Sequence, residues 1–250
     1  MSAAIRPADA AACAAALDEA ARLGRSVRVR GGGTKDHLGD LRPADVVLET
    51  LALSGVVDHV AADLTVTAGA GTRLADLQRA LAAAGQRLPI DPPHAAGATL
   101  GGIVATNDAG FGRTRYGGPR DLLIGTLTAL TDGTVVRSGG RVVKNVAGYD
   151  LNKLLVGSLG TLGVVAETTF KVLPLPPARG ALRARCRRAA DAFAIADALA
   201  RTSLRPSALV VERAGSGEWH VVVAAEGPAA LVARTLAEAA DLARRAGASS

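Results

Sequence analysis

Apolar positions along the chain fall into alternating helical and extended stretches. Asp9 to Leu23 is rich in alanine and other good helix formers, and Gly24 stands where a helix stop is expected. Val27 to Arg30 alternates apolar and basic, predicting a strand that runs straight into Gly31-Gly32-Gly33. Val46 to Leu48, Val56 to Val60 and Leu64 to Ala68 predict three more strands. Leu74, Leu77 and Leu81 recur at spacings of three and four, which predicts a helix capped by Thr72 and ending near Gly85. Asp91-Pro92-Pro93-His94 is stiff and extended, because each proline restricts its predecessor. Thr99 to Thr106 reads as a short helix, and Asn107 to Pro119 as an irregular glycine-rich loop. Asp132-Gly133 predicts a hairpin between Thr126 to Leu130 and Val135 to Arg137. Asp150 is placed to cap a short helix over Leu151 to Val156, and Val164 to Val172 is β-branched enough for a closing strand.

Pro174, Pro176 and Pro177 mark a boundary. Beyond it the pattern predicts strand (Ala181 to Cys186), helix (Ala189 to Ala200), strand (Ala208 to Glu212), strand (Trp219 to Ala225) and helix (Ala229 to Ala246). That is a small α+β sandwich one strand short of the usual six elements. The predicted organisation is therefore α+β, with one domain over residues 1–176 and a second, incomplete one over 181–250.

Composition narrows the function classes. Of the 250 residues 49% are apolar but only 2% aromatic, so the core must be built from Ala, Val and Leu. So few aromatics argue against a base-stacking nucleic-acid platform. The net charge of +6 comes from arginines spread along the chain, densest at Arg179, Arg183, Arg185, Arg187 and Arg188. That cluster reads as a solvated strand face or as a surface for an acidic partner. Cys13 and Cys186 lie far apart with no metal-ligand spacing, as expected of reduced thiols in a cytoplasmic protein. The start lacks a signal-peptide pattern, and no window holds roughly 18 uninterrupted apolar residues. A soluble protein is expected, either free in the cytoplasm or docked peripherally at the inner face of the membrane.

The candidate chemistry lies in three glycine-rich segments: Arg30 to Thr34, Gly97 to Gly102 and Gly157 to Val164. Glycines beside Thr or Ser leave backbone N–H groups free to cradle phosphate oxygens. Gly69-Ala70-Gly71 only imitates a dinucleotide fingerprint, since Leu74 stands where the third glycine would fall. A P-loop is also excluded, because Lys35 follows Thr34 instead of preceding it.

These three segments in this order, with Arg115-Tyr116-Gly117 between, resemble the FAD-binding half of the vanillyl-alcohol oxidase (PCMH-type) flavoprotein superfamily. The run Arg141-Val142-Val143-Lys144-Asn145-Val146-Ala147-Gly148-Tyr149-Asp150-Leu151, together with Pro92-Pro93-His94, sharpens the likeness. It is similar to the FAD-binding (E) subunits of bacterial glycolate oxidases, over about residues 5 to 176. The resemblance implies two α+β subdomains with FAD between them, followed by an incomplete ferredoxin-like cap domain. Arg30, Gly31, Gly32, Gly33 and Thr34 would hold the pyrophosphate, continued by Pro93, Gly97, Thr99, Gly101 and Gly102. Thr106 and Asn107 would reach the ribityl or pyrophosphate, while Ser158, Gly160, Gly163 and Val164 would lie near the adenine or flavin edge. Gly33 occupies the position where some relatives carry a flavin-linking histidine, and His37 lies beyond the loop, which implies non-covalent FAD. His94 would contact the flavin or be merely solvated; Lys144 and Tyr149 would face the isoalloxazine or pack their own loop. Leu159 replaces a glutamate usual in catalytic sister subunits, and the C-terminal region holds a single histidine, His220. The implied role is an electron-relaying FAD subunit that works with a paralogous catalytic flavoprotein and an iron–sulfur subunit on a small 2-hydroxy acid. The alternatives are a self-sufficient 2-hydroxy-acid dehydrogenase and a scaffold that has lost its cofactor.

Overall fold

The computed structural model describes residues 3–39, 42–140 and 150–249. The chain forms two compact units, one of residues 1–110 with 118–174 and the other of residues 111–117 with 175–250. The sequence pattern had put 111–117 in the first domain; here that short excursion groups with the second.

Among the described residues the first unit contains two larger sheets and one two-stranded sheet. β1 (Ala3–Ile5) and β2 (Val27–Arg30) flank β3 (Val46–Glu49), all parallel, with α1 (Ala10–Arg22) crossing between β1 and β2. Asp9 caps α1 by accepting the Ala12 N–H at 2.7 Å. The larger sheet is antiparallel, in the order β4 (Val56–Val60), β5 (Thr65–Gly69), β9 (Val164–Lys171), β7 (Leu123–Ala129), β8 (Val135–Gly139). α2 (Leu74–Ala82), β6 (Gln86–Arg87), α3 (Leu100–Thr106), α5 (Pro119–Leu122), α6 (Asn152–Leu155) and β10 (Leu173–Pro174) complete this unit, and β6 pairs with β10.

Two apolar clusters hold the sheets in place. Leu74, Leu77 and Leu81 of α2 and Leu100, Ile103 and Val104 of α3 pack with Val66 and Phe170. Cys13, Ala14 and Leu17 of α1 pack with Leu48, Ala129 and Val164 between the two sheets. Every residue of β5 is buried. The buried threonines of the large sheet therefore need partners: Thr67 shares a hydroxyl hydrogen bond with Thr169 at 2.9 Å, and Thr126 donates to Asn152 Oδ1 at 2.9 Å.

In the second unit, α4 (Arg113–Tyr116) accompanies β11 (Ala178–Cys186), α7 (Ala189–Ala200), β12 (Ala208–Arg213), β13 (Trp219–Gly227) and α8 (Ala229–Arg245). The sheet is antiparallel in the order β11, β13, β12. This is a ferredoxin-like arrangement in which the fourth strand is represented by one antiparallel bridge, Ser249 to Arg185. The arginine-rich stretch is the exposed face of β11, where Arg179 pairs with Glu226 and Arg183 with Glu212.

Three local expectations are corrected. Thr72 does not cap α2; its hydroxyl accepts from Gly55 N–H at 2.9 Å, and the Leu74 N–H donates to Ala98 O instead. Asp150 caps nothing with its side chain, and the helix there is a single turn preceded by Leu151. The stretch Asn107 to Pro119 contains α4, a four-residue turn between glycines too short to show a helical period.

Candidate functional site

β2 delivers Arg30 to the rim of the first glycine loop. The Arg30 guanidinium spans that loop to Asp36, with Nε at 2.9 Å and Nη2 at 2.8 Å from Oδ2. Gly33 adopts φ +72 and makes the turn that lets this clasp form. Just beyond it, Lys35 pairs with Asp108 and reaches Pro93 O at 3.4 Å, both ends being largely shielded from solvent.

The first two loops nest directly. A Cβ on Gly31 would meet Thr99 Oγ1 at 2.2 Å, and one on Gly32 would meet Gly97 O at 1.8 Å. The expected reason for these glycines was room for a ligand; their immediate neighbour is the second loop. Thr99 precedes α3 and accepts from Gly102 N–H at 3.4 Å. The third loop joins the same element from the other end. Gly157 N–H donates to Val104 O at 3.0 Å and Leu159 N–H to Ala105 O at 2.8 Å.

All three loops thus meet on α3 and line one cavity of about 560 Å³, within the range of roughly 300–1,000 Å³ usual for small-molecule sites. Of the expected residues, Arg30, Gly31, Gly32, Gly33, Thr34, Thr99, Gly102, Thr106 and Gly160 line it. The others lie outside that lining. Pro93 anchors Lys35, Gly97 receives Gly32, and Gly101 donates its N–H to Ala70 O at 2.7 Å. Asn107 ends α3 with φ +52, and Ser158 O accepts from Thr161 N–H at 3.0 Å. Gly163 lies against Ala129 O, and the Val164 side chain is fully buried in the core. Lys144, Tyr149 and the rest of the Arg141 to Tyr149 run lie outside the described residues.

Sequence reasoning missed Arg28, Lys35, Asp36, Leu38, Arg42, Ala105, Leu159 and Thr161, which also line the cavity. Lys35 and Asp36 adjoin the first loop, and Leu159 and Thr161 lie inside the third, so their place in sequence was a signal; Arg28, Leu38, Arg42 and Ala105 carried none. Arg28, Arg30, Lys35 and Arg42 against Asp36 leave the described lining with an excess of positive charge.

The donor set fits a dinucleotide diphosphate. Among the described residues, the N–H groups of Gly32, Gly33 and Thr34 have no protein acceptor, and successive free N–H groups in such a loop suit an anion. The Thr99 hydroxyl accepts from Gly102 and keeps its proton for a ligand oxygen. Thr106 donates to Gly102 O at 2.8 Å and keeps its lone pairs, which suits a ligand hydroxyl.

Comparison with known proteins agrees with this geometry. The glycolate oxidase subunit GlcE of Escherichia coli (strain K12) is 44% identical over 157 residues, 62% of this chain and 44% of that protein. The glycolate oxidase subunit GlcD of Bacillus subtilis (strain 168) is 36% identical over 157 residues, 62% of this chain and 33% of that protein. The D-lactate dehydrogenase of Archaeoglobus fulgidus is 35% identical over 172 residues, 68% of this chain and 38% of that protein. The chain therefore spans less than half the length of these relatives. A solved alkyldihydroxyacetonephosphate synthase shares the fold with a TM-score of 0.81 at 19% identity, covering 98% of this chain and 54% of that one. The FAD binding domain family model matches residues 1–139. With more than half its length inside that match and three glycine loops closing on one cavity, the chain belongs to the FAD binding domain family and has the PCMH-type α+β fold.

Proposed function

We propose that this chain is the FAD-binding subunit of a glycolate-oxidase-type complex acting on a small 2-hydroxy acid. The observation that carries the reading is the convergence of the three glycine loops on a single cationic cavity. The backbone N–H groups of Gly32, Gly33 and Thr34 and the Thr99 hydroxyl would hold the diphosphate, and Thr106 would accept from a ribityl hydroxyl. Bound FAD supplies reversible electron transfer; the chain's residues bind it, orient it and balance its charge. Non-covalent attachment belongs to this reading and is supported by Gly33, a first-loop residue in the lining with no side chain to bond the flavin.

Substrate oxidation needs a base for the hydroxyl proton and a cation for the carboxylate. The second unit's single histidine, His220, has Nδ1 3.5 Å from Glu212 Oε1. No group of three or more His, Cys, Asp or Glu suited to a metal occurs among the described residues. Substrate chemistry is accordingly assigned to a paralogous catalytic flavoprotein subunit, with an iron–sulfur subunit as the onward electron carrier. The similar proteins named glycolate oxidase subunits support a multi-subunit assembly. Among the described residues no helix is long and apolar enough to cross a membrane.

An absorption spectrum of the purified chain, before and after acid precipitation, tests the reading. A flavin spectrum that moves wholly to the supernatant is expected, with no bleaching by glycolate or D-lactate until partner subunits are added. Flavin in the pellet would refute non-covalent binding. Bleaching of the isolated chain would favour the self-sufficient enzyme.

A further inference from the structure

Between Ser158 and Thr161 the backbone turns with positive φ at both central residues, +54° at Leu159 and +77° at Gly160. The Thr161 N–H closes the turn on Ser158 O at 3.0 Å. Glycine, asparagine and aspartate suit the first central position of such a turn. Leucine does not, because its Cβ crowds the following carbonyl in the left-handed region. Strain of this kind persists where surrounding structure or function requires it. Burial does not supply the requirement, since Leu159 remains 48% exposed and belongs to none of the buried core clusters.

The side chain instead lines the cavity. Its Cδ1 lies 3.6 Å from where a Cβ on Gly39 would stand, and the Leu159 N–H is held by Ala105 O. Leu38, 44% exposed, lines the same cavity. Val27, Val29, Pro43, Ala44 and Ala105 also line the cavity, but Leu38 and Leu159 are its large apolar side chains most open to solvent, and Leu159 is the one in a strained conformation.

We infer that Leu159 is an apolar platform for a flat aromatic ring of the bound dinucleotide, and that it helps select a dinucleotide over a bare diphosphate. The inference rests on the FAD-binding reading. Covering the half-exposed leucine with a ring removes apolar surface from water and offsets the turn's strain only in the bound state.

The test measures the apoprotein melting temperature and the FAD dissociation constant for wild type, Leu159→Asn, Leu159→Gly and Leu159→Met. Asparagine and glycine relieve the turn, so both raise the apoprotein Tm by about 2–4 °C. Both weaken FAD by about tenfold, or ~1.4 kcal/mol. Methionine keeps the apolar surface and holds FAD affinity within about twofold of wild type. Titration with ADP and with FMN identifies the ring: a tenfold loss confined to ADP marks adenine, and one confined to FMN marks isoalloxazine. Unchanged FAD affinity in the asparagine and glycine variants overturns the inference, as does a loss that touches neither fragment. A fall in apoprotein Tm alongside affinity would mark a purely structural role and also overturn it. Wild-type protein that binds no flavin would overturn the FAD reading itself, and the inference with it.

Discussion

Gly32→Ala probes the nesting of the first two loops. Gly32 has no positive φ, so the cost of the substitution is steric. The new Cβ would lie 1.8 Å from Gly97 O and 3.0 Å from Gly97 C. Carbon needs ~3.5 Å from such atoms, so the loops must part by about 1.7 Å. No rotamer relieves this, because the obstacle is backbone and the N–H groups of Gly97 and Ala98 are tied to His94 O at 2.9 and 3.0 Å. Overpacking of this kind costs about 1–3 kcal/mol. For a chain of this size each kcal/mol lowers Tm by about 2–4 °C, so a fall of about 2–12 °C is expected. Gly31→Ala meets Thr99 Oγ1, an atom that can rotate away at the expense of its bond to Gly102 N–H, and should cost only ~1 kcal/mol. Gly24→Ala is the control, because a Cβ there meets nothing within 4 Å and only its φ of +61° is strained. Differential scanning fluorimetry ranks the three, and flavin fluorescence titration of Gly32→Ala should show FAD affinity reduced by at least about tenfold (~1.4 kcal/mol). Wild-type Tm together with wild-type FAD affinity in Gly32→Ala would refute the nesting argument.

Lys35→Met leaves the shielded Asp108 carboxylate without its ammonium partner; a loss of about 1.5–3 kcal/mol is expected in urea unfolding, with much of it restored in Lys35→Met/Asp108→Leu. Asp45 accepts from both the N–H and the hydroxyl of Ser26, and these bonds hold its carboxyl below the usual carboxylate value of 3.8. A carboxyl depressed on folding stabilises the protein above its unfolded pKa, and that contribution is lost as pH falls through the folded value. Ser26→Ala should therefore narrow the Tm gap to wild type as pH drops below about 4, and a gap unchanged from pH 7 to pH 2 would contradict it. Burial pushes the Cys13 thiol up to about 11, and Cys186 is also raised by burial; Ellman titration at pH 8 should find both unreactive in the native protein and both reactive in denaturant.

Much of the fold was legible because its elements repeat a clear period. The strands and helices from β11 to α8 matched their predicted spans within about three residues, since β11 and β13 alternate faces and α8 keeps one apolar stripe. β1 and the β6–β10 pair were not legible, because two or three residues show no period and owe their pairing to strands distant in sequence. Within the site, loop membership was legible but orientation was not. Gly31 and Gly32 were assigned to the ligand on their chemistry, and only the fold shows that their missing side chains admit Thr99 and Gly97. Val164 followed its loop in sequence yet points into the core, because the strand pleat turns it toward Ala129 and Leu17. Leu159 stood out in sequence only as a replacement for glutamate; its weight at the site comes from a backbone angle.

The most direct test of the account is a crystal structure of the chain grown with excess FAD. The prediction is diphosphate density within hydrogen-bond reach of the Gly32, Gly33 and Thr34 N–H groups and the Thr99 hydroxyl, with a ring against Leu159. FAD bound at another surface, or a cavity between these loops that stays empty at saturating FAD, would contradict it.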